Sequence, residues 1–290
     1  MHLAVRGATA ADGTVLVGFL DAAYASGYSP TFDRDGPFQP NDIWWVQSEK
    51  DVSVIEVNKR PAGLLVVGRG GSQWLVEELL LEGFGDLPAR TQTTLTTRLT
   101  AHLVQLFQRA RQPGLLLRLA ETNAFGLALA AEARATFANA LLVFRHRGPK
   151  RPASHVPDGY QVRRATPQDA RDVSRLVREV TPERGRAENV ERVLNARDGR
   201  AFVAFRDAIL AGVATAEARE GRSDWTVGVR EAHRRRGVGR ALAASVLSAL
   251  HARGTVPLAT AWALDPVAGP FLRALGFAVE RTYLYLEKPL

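Results

Sequence analysis

The chain contains no cysteine, which excludes disulfides, thiolate metal sites and a cysteine nucleophile, and accords with a reducing compartment. Lysine is nearly as scarce. Lys50, Lys59, Lys150 and Lys288 are the whole complement, so the formal charge of +8 is carried by arginine. A positive charge could suit nucleic acid, but no dense stripe of basic residues alternates with aromatics as such a groove requires, so a nucleic-acid partner is not expected. No apolar run approaches the ~20 residues of a membrane span, and the opening Met1-His2-Leu3-Ala4-Val5-Arg6 lacks a signal-peptide pattern. The expectation is a cytoplasmic protein without a membrane partner. No paired His or His–Glu arrangement has metal-ligand spacing, so no metal is expected.

What is present is a folding-competent chain of 290 residues, 46% of them apolar, a length that suits two domains of about 100–150 residues each. An internal repeat gives the same division. Val5-Arg6-Gly7-Ala8-Thr9-Ala10-Ala11-Asp12 returns as Val162-Arg163-Arg164-Ala165-Thr166-Pro167-Gln168-Asp169, an offset of 157 (162 minus 5). Each copy reads as a short strand, a Thr, an Asp and then a helix, with Val15, Phe19 and Ala22 as the apolar face in the first and Val173, Leu176 and Val177 in the second. Between them, 148–159 is rich in Pro and Gly and reads as a linker. The expected division is therefore 1–147, the linker 148–159, and 160–290.

Further elements follow in both copies. Val54–Val57 and Gly63–Val67 read as a hairpin turning at Lys59-Arg60-Pro61-Ala62, matched by Ala201–Phe205 with Ile209–Val213. A strand, a helix, a strand and a last helix come next: 74–81, 95–109, 115–120 and a helix within 125–136 in the first copy; 225–230, 237–253, 256–264 and 267–275 in the second. Residues 283–287 then finish the second sheet. Both halves are α/β.

The chemistry is expected where the strand ending near Val229 meets the helix starting near Gly237. There the chain reads Arg234-Arg235-Arg236-Gly237-Val238-Gly239-Arg240. Glycines let main chain approach a ligand closely, and the free N–H groups of a helix start, equivalent to about +0.5 charge, favour an anion such as a pyrophosphate. The helix carries Leu242, Val246, Ala249 and Leu250 on one face, which packs it on a sheet and fixes its start beside the strand end.

Val227-Gly228-Val229, then Arg234-x-x-Gly237-x-Gly239, a helix, a strand and Phe271-Leu272-Arg273-Ala274-Leu275-Gly276-Phe277 together resemble the GNAT superfamily of N-acetyltransferases. The resemblance is specific over about 160–290. Over 1–147 it rests on the repeat and the element order, with no second R-x-x-G-x-G between Leu79 and Arg90. It implies two GNAT-like domains, each a mixed sheet flanked by helices with splayed central strands, the first a degenerate copy. It also implies acetyl-CoA as co-substrate, with its pantetheine arm along Val227, Gly228 and Val229 and its pyrophosphate on the main chain of Arg235, Arg236, Gly237, Val238, Gly239 and Arg240. Arg234 adds charge, and Asp265 and Phe271 occupy cofactor-facing positions of the motif. The implied reaction is direct attack of a primary amine, on a small-molecule or peptide acceptor, within a ternary complex. The main-chain N–H of Val227 would polarise the carbonyl.

The departures from the family carry information too. Asp265 stands where many members have Asn, and Leu272 where many have a tyrosine general acid. A general acid typically contributes 10²–10⁴-fold, while a thiol of pKa near 8.5 is already a fair leaving group, so the loss slows turnover rather than abolishing it. An amine of pKa near 10.4 is mostly protonated at pH 7, which makes a base useful. Glu217, Glu220 and Asp224 are candidates, Glu217 first, each against the plainer reading of a solvated hairpin residue. A binding protein that senses acyl-CoA without turnover is the alternative function. His233 reads as a packing residue, His251 as a contact to the helix C-terminus, and Tyr283 and Tyr285 as one-face aromatics of the last strand. The aromatic segment Pro37–Trp45 reads as a loop pinned by buried Trp or as part of the acceptor site.

Overall fold

The computed structural model describes residues 2–25, 50–69, 73–149, 155–180, 199–219 and 222–290, apart from the side chains at 24, 50, 199 and 217–224. The first copy runs β1 (Leu3–Gly7), α1 (Gly13–Ala25), β2 (Lys50–Val57), β3 (Arg60–Gly68), β4 (Leu75–Leu81), α2 (Ala89–Arg109), β5 (Gly114–Ala120), α3 (Ala124–Ala133) and β6 (Thr136–His146). The second repeats that order as β7 (Gln161–Arg164), α4 (Ala170–Val180), β8 (Gly199–Arg206), β9 (Ile209–Arg219), β10 (Arg222–Val229), α5 (Val238–His251), β11 (Val256–Trp262), α6 (Ala268–Ala274) and β12 (Phe277–Pro289).

The repeat detected in the sequence is a specific piece of side-chain geometry. Arg6, in β1, donates through both terminal nitrogens to Asp12 at 2.8 Å each, while Asp12 accepts from the Thr9 N–H and hydroxyl, both at 2.8 Å. Arg163 and Asp169 repeat the pair at 2.8 and 2.8 Å, with Thr166 donating at 2.7 and 2.9 Å. Each Asp is thus the third residue of a capping box that starts a helical turn. The hydrogen-bonded guanidinium holds both carboxyls well below the usual carboxylate range. A depressed carboxyl contributes stability that is fully present above its unfolded value, near pH 4, and lost as pH falls toward the folded value. Asp12→Asn and Asp169→Asn are therefore expected to cost roughly 1–3 kcal/mol each at pH 7, with the deficit shrinking below about pH 4 in urea titrations. A deficit independent of pH would exclude the ion pairs as its source.

Both hairpins turn on two residues in the left-handed region: Asn58 and Lys59 at φ 52° and 66°, Asp207 and Ala208 at 49° and 64°. Such mirror-image turns match strand twist. The first turn thus falls earlier than Lys59–Ala62, and Pro61 lies within β3, where an irregularity at Ile55/Glu56 accommodates it. The face of α1 is also shifted: Leu16, Phe19 and Leu20 are buried and Ala22 is exposed, because the helix starts only after the 3-10 turn at Ala10–Asp12. Val173, Leu176 and Val177 are buried as expected. On α2, Leu95, Leu99, Leu103 and Phe107 form the i, i+4 seam that packs on the sheet.

By packing, the chain divides into one compact unit of 1–142, 262–264 and 281–290 and another of 143–261 and 265–280. In the first, strand order is β1-β2-β3-β4-β5-β12; in the second it is β11-β10-β9-β8-β7. β12 pairs antiparallel with β5, from Tyr283↔Ala120 to Pro289↔Gly114. Residues 283–287 therefore complete the first copy's sheet rather than the second's, drawn by Leu286 and Leu290, which pack on the first copy's core. β6, absent from the sequence expectation, ends in the second unit, where His146 packs edge-on to Phe277 with centroids 4.9 Å apart. The two copies have exchanged the ends of their last strands.

Candidate functional site

In each unit the two central parallel strands pair only at their beginnings. β4 and β5 meet at Leu75↔Leu116 and Val76↔Leu117, β10 and β11 at Arg222↔Val256 and Ser223↔Pro257. Beyond those residues the strands part and leave a gap. The register of β10 on β9 tells which main-chain groups face it. Arg230 N–H donates to Ala211 C=O at 2.9 Å, in register with Val229↔Gly212. Because hydrogen-bonded residues alternate along an antiparallel pair, Gly228 and Thr226 also turn toward β9, whereas Val227 and Val229 present their N–H and C=O groups to the gap. The Arg234 guanidinium confirms the direction by donating to the Val229 carbonyl at 3.0 Å. Gly228 turns to the opposite face, where a Cβ would lie 2.2 Å from Val180 Cγ2.

The basic turn follows directly. Arg235 and Gly237 are left-handed, φ 60° and 83°, and Gly237 caps α5. The first intrahelical bond is Ala241 N–H to Gly237 C=O at 3.0 Å, so the N–H groups of Val238, Gly239 and Arg240 have no acceptor within the helix. Val238 buries its side chain and anchors the turn, while Arg234, Arg235, Arg236 and Arg240 are exposed. Behind the turn, the Tyr160 hydroxyl and His233 Nδ1 are 2.9 Å apart with their rings edge-to-face, and Pro157 lies beside Gly237. The C-terminal end of the expected linker therefore buttresses the turn. The result is a cluster of main-chain donors with no intrahelical acceptor at a helix start, in a turn that carries four exposed arginines and continuous with the gap-facing N–H groups of β10. That is an arrangement for a long ligand with an anionic head.

Residues 170–277 match the acetyltransferase (GNAT) family. Among solved structures, the chain is similar over 99% of its length to a tandem GNAT protein from the clavulanic acid biosynthesis pathway, at 21% identity and TM-score 0.66, covering 98% of that chain. It is also similar to a GCN5-related N-acetyltransferase from Sphaerobacter thermophilus (16% identity, TM-score 0.72, 99% and 95% covered) and to a GNAT-family acetyltransferase from Colwellia psychrerythraea (12%, 0.62, 99% and 99%). No curated protein matches. The family match is carried by the second copy, and over the whole chain the likeness to a tandem GNAT structure is one of fold. The GNAT acetyltransferase family, matched over 170–277, uses acetyl-CoA.

The other expected GNAT residues are placed as follows. Asp265 accepts from the N–H groups of Val267 and Ala268 at 2.8 and 3.1 Å, an assignment to the start of α6. Phe271 reaches the first turn of α5, about where a Cβ on Gly239 would stand 3.7 Å from its ring. Leu272 is buried, so the tyrosine position holds a core side chain. Glu217 pairs with Asp224 across β9 and β10, but both side chains, together with Glu220 and the segment Pro37–Trp45, lie outside the described residues. His251 meets His146, Nε2 to Nδ1 at 2.9 Å, and His146 Nε2 lies 3.0 Å from the Leu275 carbonyl. Burial pushes the His146 imidazole down from its ordinary value. This pair escaped sequence reading because its members are 105 residues apart. Among the described residues no group of three or more His, Asp or Glu side chains could hold a metal, and no helix is long and apolar enough to cross a membrane. Tyr283 is buried and Tyr285 packs edge-on to Trp262 at 4.9 Å, both in the first unit.

The first copy's gap is built differently. Glu82 N–H donates to Ala62 C=O at 2.9 Å, so by the same alternation Leu79 faces β5. Its carbonyl is taken by the Asn123 side chain at 2.8 Å, which also accepts from Gly126 N–H at 2.9 Å. Phe84, after β4, and Phe125, after β5, are buried against each other with centroids 4.8 Å apart. The gap of the first copy is thus bridged by its own side chains. Its turn carries Glu82 and Asp86 against Arg90, a charge pattern unsuited to a diphosphate.

Proposed function

We propose that the second copy binds acetyl-CoA and transfers its acetyl group to a primary amine of a small-molecule or peptide acceptor, by direct attack in a ternary complex. The observation that carries this reading is the alignment of the gap-facing N–H groups of Val227 and Val229 with the open first turn of α5. Along that track Val227, Gly228 and Val229 receive the pantetheine arm, and the main chain of Arg235 to Arg240 receives the diphosphate, with Arg234 held against β10 and Phe271 beside Gly239. Hydrogen bonds from these amides to charged oxygens are worth roughly 1.5–3 kcal/mol each.

In the reaction the amine nitrogen bonds to the thioester carbonyl carbon, the C–S bond breaks, and the sulfur leaves with the bonding pair and gains a proton. The amine loses one. The Val227 N–H stabilises the developing oxyanion. Glu217 is the proposed base. With Leu272 buried in place of a tyrosine, the leaving sulfur takes its proton from water or another hydroxyl. The first copy, 1–147, joined through 148–159 to the catalytic copy 160–290, serves as a support that has lost the phosphate cradle.

Calorimetry with acetyl-CoA is expected to show binding, and an acetylation assay over polyamines, aminoglycosides, amino acids and peptide N-termini is expected to yield product from at least one. Absence of any acetyl-CoA binding would remove this reading. Tight binding with no product from any amine would favour the second reading, an acyl-CoA sensor, for which the buried Leu272 is the motivating observation.

A further inference from the structure

The first unit holds a cavity of about 410 Å³ on the α2 side of its sheet. That side follows from Ile55, which shares one core with Leu99 and Leu103 of α2, and alternation along β2 puts Ser53 and Asp51 on the same face. Leu65 and Val67 form an apolar floor, His102 and Leu106 line the cavity from one row of α2, and Gly7 stands at its rim on β1, exposed. The second copy carries bulk at this place. Gly7 pairs with Ser53 where the repeat has Arg164 paired with Phe202, so two small residues stand in for two large ones. A Cβ on Gly7 would meet nothing within 4 Å.

The charged groups on the cavity wall are already neutralised. Asp51 is ion-paired with Arg69, and Arg6 with Asp12 and Glu56. What remains is rich in donors. The Ser53 hydroxyl and the His102 ring have no hydrogen-bond partner among the described residues. The Ala8 N–H donates to the Val52 carbonyl at 2.9 Å, so alternation turns the Gly7 N–H away from β2, toward the outer edge of the sheet. Burial, and then the Arg109 cation two turns along α2, push the His102 imidazole below its ordinary value, so the ring is neutral at pH 7. We propose that this cavity binds a small monocarboxylate, its apolar body on Leu65, Val67 and Leu106 and its carboxylate on the Ser53 hydroxyl, the His102 ring and the Gly7 N–H. An ammonium head would find no free carboxylate, since Asp51 is held by Arg69. A bound anion needs a counter-charge, and His102 supplies it by taking a proton from water while the carboxylate stays ionised. Binding therefore draws in one proton. The lining residues all belong to the first unit, and the inference does not rest on the acetyl-CoA reading.

Calorimetry of the full chain with butyrate, hexanoate, octanoate and benzoate is expected to show binding of at least one acid, about tenfold tighter near pH 6 than near pH 8. The measured heat is expected to vary with the ionisation enthalpy of the buffer, as uptake of one proton per ligand requires. His102→Gln is expected to abolish that uptake and flatten the pH dependence, a change that loss of packing alone does not give. Ser53→Phe, which installs the second copy's residue, is expected to weaken the same acid by about tenfold or more with the melting temperature held. Gly7→Leu fills the same space if the first variant does not fold. Absence of binding by all four acids, binding without proton uptake, or binding that survives filling of the cavity would each overturn the proposal, and none of these results touches the acetyl-CoA site.

Discussion

Gly237→Val is expected to lower acetyl-CoA affinity by about 10²–10⁴-fold. The residue sits at φ 83°, a conformation that costs an L side chain roughly 1–2 kcal/mol, and its new Cβ would press on Pro157 Cγ at 3.2 Å. The turn must then rotate and withdraw some of the N–H groups proposed to hold the diphosphate. Two such bonds lost, at roughly 1.5–3 kcal/mol each, give the stated range. Gly239→Ala is the control that separates ligand from fold. A Cβ there would stand 3.6 Å from Val229 Cγ2 and 3.7 Å from the Phe271 ring, ordinary contact distances, so the melting temperature should hold. Any loss of acetyl-CoA affinity in that variant reports the close approach of the ligand to α5. Wild-type affinity in both variants would mean that the diphosphate lies elsewhere.

Asn123→Ala is expected to produce the largest loss of stability among the polar substitutions considered, about 2–5 kcal/mol. It leaves both the Leu79 carbonyl and the Gly126 N–H without their side-chain partner, and each orphaned buried group costs roughly 1–3 kcal/mol. Urea unfolding measures this directly. Acetyl-CoA is expected to bind at one equivalent per chain, in wild type and variant alike, because the first copy's charge pattern and the Phe84–Phe125 contact remain. A variant as stable as wild type would show that the bridge does not hold the first gap shut.

What the sequence disclosed and what it hid divide along physical lines. The repeat was legible because its function is local: Arg6 and Asp12, Arg163 and Asp169, lie six residues apart and return with their spacing intact. The basic turn was legible for the same reason, since left-handed Gly237 and the helix it caps are neighbours in the chain. Other features depend on partners far away in sequence. Nothing near Asn123 announces that it reaches Leu79, and nothing near His146 announces His251. Pro61 reads as a turn residue, yet an irregular register at Ile55/Glu56 admits it into the strand and the turn falls at Asn58-Lys59. The 3-10 turn before α1 is not announced by its residues, and the buried face that follows it is Leu16, Phe19 and Leu20. The strand over Thr136–His146 and the sheet that Tyr283–Glu287 join are not legible in their own residues, because strand partners are chosen by long-range packing.

The strand ends traded between the two halves bear on how such a protein is inherited. Severing the chain anywhere in 148–159 would strand residues 281–290 away from the β5 edge they cover and expose that edge to foreign partners. The duplicated halves are therefore bound to a common fate: neither can be shed, shuffled into another gene or evolved alone without first rebuilding its missing border.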